Sequence, residues 1–304
     1  MPVYMLSDSE NGASVRIDGV EVAAFVKNVE RPLISIPLRA RRLNASVFAG
    51  EKAKLKRARQ HFGELVALVN EYMAVQPFRF SEIGDSIIGC VEKQVPQEIN
   101  IVLGDVVHNL RSTLDLLVCD LVQANGRKVS KDSAFPMWVG GIQPWHAEKQ
   151  LAGVSQRAFK VLFKITKNQL WNEALLMLHG LDIMDKHRAL VAVGAATVRV
   201  HANIGMPGLF IGPSGEIRFG GPGPDGAPFL RKAGSPVGFT TTFLTEQEME
   251  VYRYVPDIPQ DVEVACDLVF GPGEKGAGAP ILQTLDMLSN VIERILVLCE
   301  RRAL

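Results

Sequence analysis

The chain reads as an α+β protein: a bundle of four long helices with an antiparallel β-sheet region inserted before the last helix. Four segments repeat apolar residues at spacings of three and four, the mark of helices with one buried face. Residues 191–270 instead alternate apolar with polar side chains, the period of half-buried antiparallel strands. Hydrophobic residues make up 47% of the 304 and charged ones 22%, a balance that excludes a disordered chain.

Taken in order, residues 1–50 form an N-terminal extended or β segment. SVRIDGVEVAAFV places Asp18-Gly19 between alternating runs and predicts a tight hairpin, and RPLISIPLRARR reads as extended. Residues 51–190 form a helical core. Its first helix is carried by Leu55, Ala58, Phe62, Leu65, Val69, Tyr72 and Met73 and ends before Pro77. A short β-hairpin follows at 78–94, around Gly84-Asp85. Pro96 opens the second helix, where a missing N–H costs nothing, and Asn125-Gly126 closes it. Ile99, Leu103, Val106, Val107, Leu110, Leu114, Leu117 and Leu121 are its stripe. Residues 127–167 read as irregular apart from a short helix near 156–163. A third long helix spans about 168–190, with Gly180 as a weak point. Residues 191–275 are the β-rich region, with AVGAATVRV, a hairpin through Pro213-Ser214-Gly215, VGFTTTFL and DVEVACDLVF as strands, and GGPGPDGAP as a surface loop. These strands, the hairpin at 78–94 and the N-terminal strands are expected to share one sheet. Residues 276–304 complete the bundle with a helix marked by Leu285, Leu288, Ile292, Ile295 and Cys299, whose apolar face also suits a homodimer.

Charge narrows the functional classes. Lys and Arg number 33, Asp and Glu 33, so no global field draws nucleic acid or an anionic membrane. The one basic run, EKAKLKRARQH, reads as a solvated helix face. Cys90, Cys119, Cys266 and Cys299 form no CxxC pair and lie in apolar contexts, which favours a reducing compartment. With neither a secretory signal nor an apolar run of roughly 20 residues, the expected location is the cytoplasm, off the membrane.

The chemistry-bearing residues concentrate in GDVVHNLRSTLDLLVCDL, residues 104–121. His108, Arg111 and Asp115 fall within roughly 60° of one another at about 100° per residue, beside the apolar stripe. The following LLVCDLV is apolar nearly all round, so this polar line is expected to be partly buried and to need opposite charges from elsewhere. HGLDIMDKHR in the third helix offers them. Asp182 continues the face of Trp171, Leu175 and Leu178, Asp185 and Lys186 flank it, His179 lies one turn earlier, and His187 points away. The expected pairs are Arg111 with Asp182 or Asp185, and His108 with Asp115 or an aspartate across the interface.

Three roles fit these residue types. An internal ion-pair network would fix helix register. A catalytic site would use His108 as acid/base, Arg111 against a developing anion, and Asp115, Asp182 and Asp185 as orienting carboxylates. A metal site would draw on His108, Asp115, His179 and Asp182, but no HExxH or Glu-x-x-His pair appears. The cofactor is unknown from sequence: GPGPDG and GPGEKG both match GxGxxG, yet neither lies in a βαβ unit and Pro272 lacks an N–H. Trp138, Trp145, Trp171 and Phe135 are expected to close the bundle, while His146 and His201 have no assigned role.

Over residues 55–191, GDxxHNLRSxLDxL followed by LDxxDKHR resembles a widespread group of bacterial proteins sharing those signatures, a resemblance that implies no activity. More distantly, four helices with inward polar residues are similar to HEPN domains, found in many toxin and defence ribonucleases. That likeness implies an intracellular hydrolase or ribonuclease of stress or defence type, acting on RNA or a small-molecule ligand. The family signature is Arg, four to six residues, then His on one helix; here Arg111 follows His108. The alternative is a non-catalytic partner- or ligand-binding protein whose polar cluster is structural.

Overall fold

The computed structural model describes residues 4–9, 12–17, 20–26, 48–137, 144–187, 190–202, 209–211, 217–219, 238–254 and 260–304. The chain folds into two compact units. One comprises Met1–Leu38, Gln76–Gln94 and Val193–Leu268, the other Arg39–Val75, Val95–Ala192 and Val269–Leu304. The class is α+β, with helices in the second unit and antiparallel sheets in the first.

Strands β1 (Tyr4–Ser9), β2 (Gly12–Ile17) and β3 (Val20–Val26) make one antiparallel sheet in that order. The β2–β3 pairing is the one expected across Asp18-Gly19; that turn and RPLISIPLRARR lie outside the described residues. Helix α1 (Ala49–Ala74) buries Leu55, Ala58, Leu65, Val69 and Tyr72. Beyond it Gln76 adopts a φ of 49°, ahead of Pro77, whose ring disfavours a continued helix. Strands β4 (Phe78–Ile83) and β5 (Ser86–Val91) pair around Gly84, whose φ of 63° suits a residue without Cβ. Helix α2 (Gln97–Ala124) starts after Pro96 and stops where Gly126 turns left-handed at φ 69°.

The stretch 127–167 holds more helix than its composition announces: α3 (Pro144–Gln150) and α4 (Gln156–Lys167). The local reason for α4 is a cap, since the Ser155 hydroxyl accepts the Ala158 N–H at 3.1 Å. Helix α5 (Gln169–His187) runs unbroken through Gly180. That glycine is a packing requirement rather than a weak point, because a Cβ there would collide with the stem of Lys275.

Then come β6 (Ala192–Ala202), β7 (Leu209–Ile211), β8 (Ile217–Phe219), β9 (Gly238–Phe243), β10 (Met249–Arg253), β11 (Gln260–Phe270) and α6 (Ile281–Arg302). They do not form the single sheet expected. The orders are β10-β5-β4, β11-β6-β9 and a separate β7-β8 pair whose connection, with Pro213-Ser214-Gly215, is not described. Pairing chose β10 as the partner of β5 despite their separation in sequence. Ile87, Ala196, Val198, Leu244, Val251 and Val264 bury one core in this unit, with Phe78 and Phe80 against it.

In the helical unit α2 packs on α1, α5 and α6, while α4 adds a further layer against α5 and α6. The four long helices of the sequence reading are α1, α2, α5 and α6, but the unit is more than those four. GPGEKG is a set of tight turns with Gly273 and Gly276 at φ 84° and 81°. Glu274 N–H closes one turn on the Gly271 carbonyl, and Gly271 N–H donates to the Val191 carbonyl. GPGPDG is not described. No helix among the described residues is long and apolar enough to cross a membrane.

Candidate functional site

Helix α2 turns its polar line along the edge of its buried face, so a rotation of one residue changes depth sharply. His108 is about half exposed, with its side chain at 51%, whereas Arg111 lies at 9% and Asp115 at 37%. Across from them Asp182 of α5 is withdrawn from water at 2%. The structure therefore brings His108, Arg111, Asp115, Asp182 and Asp185 into one neighbourhood, together with His179 and Lys186.

The pairing differs from expectation at Arg111. Its Nη2 lies 3.0 Å from Asp115 Oδ1 on the same helix and donates to the Phe135 carbonyl at 3.3 Å. Asp115 Oδ1 accepts the Phe135 N–H at 2.9 Å, so both backbone groups of Phe135 are held by α2. The i,i+4 partner and the carbonyl won because they are locally available, and Asp182 reaches Arg111 only through its field. Burial pulls the Arg111 value down, opposed by Asp115 and Asp182, and pushes Asp115 up, opposed by Arg111. Arg111 Nη1 is buried without a hydrogen-bond partner.

His108 takes its partner from across the interface. Nδ1 is 3.6 Å from Asp182 Oδ1, and Lys186 Nζ donates to Asp182 Oδ2 at 2.6 Å. Asp182 Oδ1 has no hydrogen-bond donor of its own. The other ring nitrogen, Nε2, is 3.4 Å from the hydroxyl of Ser112, a residue the sequence reading did not single out. The available signal was its position four residues after His108, the spacing at which helical side chains meet.

Gly104 was also passed over, though it opens the signature stretch. A Cβ at Gly104 would collide with the Asp185 carboxylate, so only glycine lets α5 bring that group against α2. Burial pushes Asp185 above the usual carboxylate range, and the charge of Asp182 adds to this, while His108 opposes it. Burial and the neighbouring Arg111 both lower His179, whose Nδ1 is sealed without a partner. Asn109 turns away from the cluster, donating to the Asp105 carbonyl at 2.7 Å and accepting from Lys54 at 3.4 Å.

Elsewhere in the helical unit the basic run of α1 is largely engaged. Lys52 pairs with Glu300 at 3.6 Å and Arg59 with Glu293 at 2.8 Å. Phe135 is fully buried, as expected of a bundle-closing aromatic, while the Trp138, Trp145, His146 and His201 side chains are not described. A groove of about 240 Å³ lined by Lys160, Lys164, Trp171, Leu298 and Arg302 shares no residue with the His108 cluster. Among the described residues no three His, Cys, Asp or Glu side chains come together as ligands for a metal ion. No family model, curated protein or solved structure matches the chain.

Proposed function

We propose that the chain is a hydrolase of ester linkages in which His108 moves the proton. One observation carries this reading: an imidazole at the solvent boundary with one nitrogen directed at a carboxylate that is itself out of water. A general base must reach its substrate and keep its ring oriented: exposure gives His108 the first, and Asp182, 3.6 Å from Nδ1, is the carboxylate placed to supply the second. Asp182 is the orienting residue, held by Lys186. Asp185, kept close by Gly104, adds to the acidic surroundings, and Arg111 with Asp115 positions the segment at Phe135 against α2. Helices α2 and α5 carry these groups.

The test is His108→Ala in purified, folded protein, assayed on p-nitrophenyl acetate and on bis(p-nitrophenyl) phosphate. The expected loss is about 100-fold or more in kcat, the scale of acid–base catalysis. Cleavage at the parental rate rules the reading out.

A second reading, a non-catalytic binding protein with an architectural polar cluster, draws support from Arg111 and Asp115 alone. Their charges face each other and Phe135, with Arg111 withdrawn from solvent. It predicts that Arg111→Met lowers stability without changing any ester hydrolysis measured well below the unfolding transition.

A further inference from the structure

We propose that Ser112 is the nucleophile of this site, attacking the carbonyl carbon of a neutral carboxylic ester while His108 takes its proton and Asp182 holds the imidazole. The proposal rests on the hydrolase reading and goes further by naming a covalent step and a substrate class.

Three side chains stand in a chain of near contacts. Ser112 Oγ is 3.4 Å from His108 Nε2, and His108 Nδ1 is 3.6 Å from Asp182 Oδ1. Hydroxyl, imidazole and buried carboxylate in that sequence are the parts of an activated serine, recognised by geometry and role rather than by chain order. Both separations are longer than a working hydrogen bond, as is common before a ligand tightens the site.

Two details argue that the alignment is more than adjacency. A serine or threonine inside a helix ordinarily returns its hydroxyl to the carbonyl four residues back. Thr113 does so, donating to Asn109 O at 2.9 Å, but the neighbouring Ser112 hydroxyl is directed at His108. The second detail is Asp182 Oδ1, which is sealed and lacks a donor. The neutral Nδ1–H tautomer of His108 aims a donor at that oxygen and leaves Nε2 free to take the Ser112 proton, and the imidazolium then formed faces the negative charge of Asp182.

Substrate class follows from charge. Asp182 lies beside His108, Asp185 is within its field and Asp105 within that of Asp185, and Lys186 is the cation of this cluster that reaches solvent, its side chain 53% exposed. Three carboxylates against one accessible cation repel a polyanion and tolerate a neutral ester. In the reaction Ser112 Oγ bonds to the acyl carbon as its proton passes to Nε2. The ester C–O bond then breaks and the alcohol leaves with that proton. Water gives a proton to His108 as it attacks the acyl group, and the carboxylic acid departs as Ser112 recovers its hydrogen.

The experiment uses the full chain with a fluorophosphonate probe, which loses fluoride to an activated serine, and p-nitrophenyl acetate as substrate. Expected are one adduct, mapped to Ser112, none in Ser112→Ala, and labelling slowed about 100-fold or more in His108→Ala and His108→Asn, all with parental thermal midpoints. No adduct in the parent, or an adduct on another residue, overturns the proposal. If Ser112→Ala keeps ester hydrolysis while both His108 variants lose it, the nucleophile is water. Ser112 then falls and the acid–base role of His108 stands. If all three variants hydrolyse at the parental rate, both readings fall.

Discussion

At the scale of single residues, depth separates roles that periodicity alone merges. His108, Arg111 and Asp115 were legible as one polar line because helical geometry fixes their angular spread. Which of them meets water was not, since it depends on α5 and on the Phe135 segment, both remote in sequence. The Arg111–Asp115 pair, buried on the arginine side only, should still be costly to break. Arg111→Met is expected to lose about 1–3 kcal/mol, the scale of a hydrogen bond to a charged group, and Arg111→Met with Asp115→Asn to regain part of it. Urea unfolding of the single and double variants measures this; additive losses would show that the two residues act independently. Ser112 escaped notice for a different reason: a serine among apolar helix residues carries no pattern, and its partner is visible only once side chains are placed.

Between elements, one residue at each of the α1–α2 and α2–α5 contacts makes the packing testable. Glu51 of α1 is fully buried, and burial, with Asp120 of α2 adding its negative charge, pushes its carboxyl up to about 7. As carboxylates the two present only acceptors to each other, so a proton supplies the missing donor. The folded chain therefore holds a proton that an unfolded glutamate, at the ordinary 4.5, releases. Because the native state binds more protons in that window, stability should fall as pH rises from about 4.5 to 7, by on the order of 3 kcal/mol. Glu51→Gln should flatten the profile and be the more stable protein at pH 8. Thermal midpoints across pH 5–8 check the sign, and a parental protein that gains stability over that range contradicts it. At the other contact, Gly104→Val should cost about 1–3 kcal/mol by forcing Asp185 off α2, measured by the same unfolding. Helix positions were legible because their signal is local. Strand partners such as β5 and β10 were not, because register is settled by pairing across the chain.

For the molecule as a whole, the residues of the proposed site all belong to the helical unit, and the sheet unit buries a core of its own. The sequence made this division visible as a change of period near residue 191, and the expected association of the strands at 78–94 with those beyond it holds for β5 and β10, though the strands divide among several sheets rather than one. Leu244→Ala, in the sheet core, should lose about 2–5 kcal/mol and leave ester hydrolysis well below the transition unchanged. A variant that retains its fold but loses activity would place the sheet unit in the chemistry. The orientation of His108 by a carboxylate hidden from water is the point on which the function turns, and Asp182→Asn probes it without changing shape. The steady-state kcat of that variant on p-nitrophenyl acetate and bis(p-nitrophenyl) phosphate should drop by about 100-fold or more at unchanged fold. A kcat equal to that of the parent on both substrates would contradict the account.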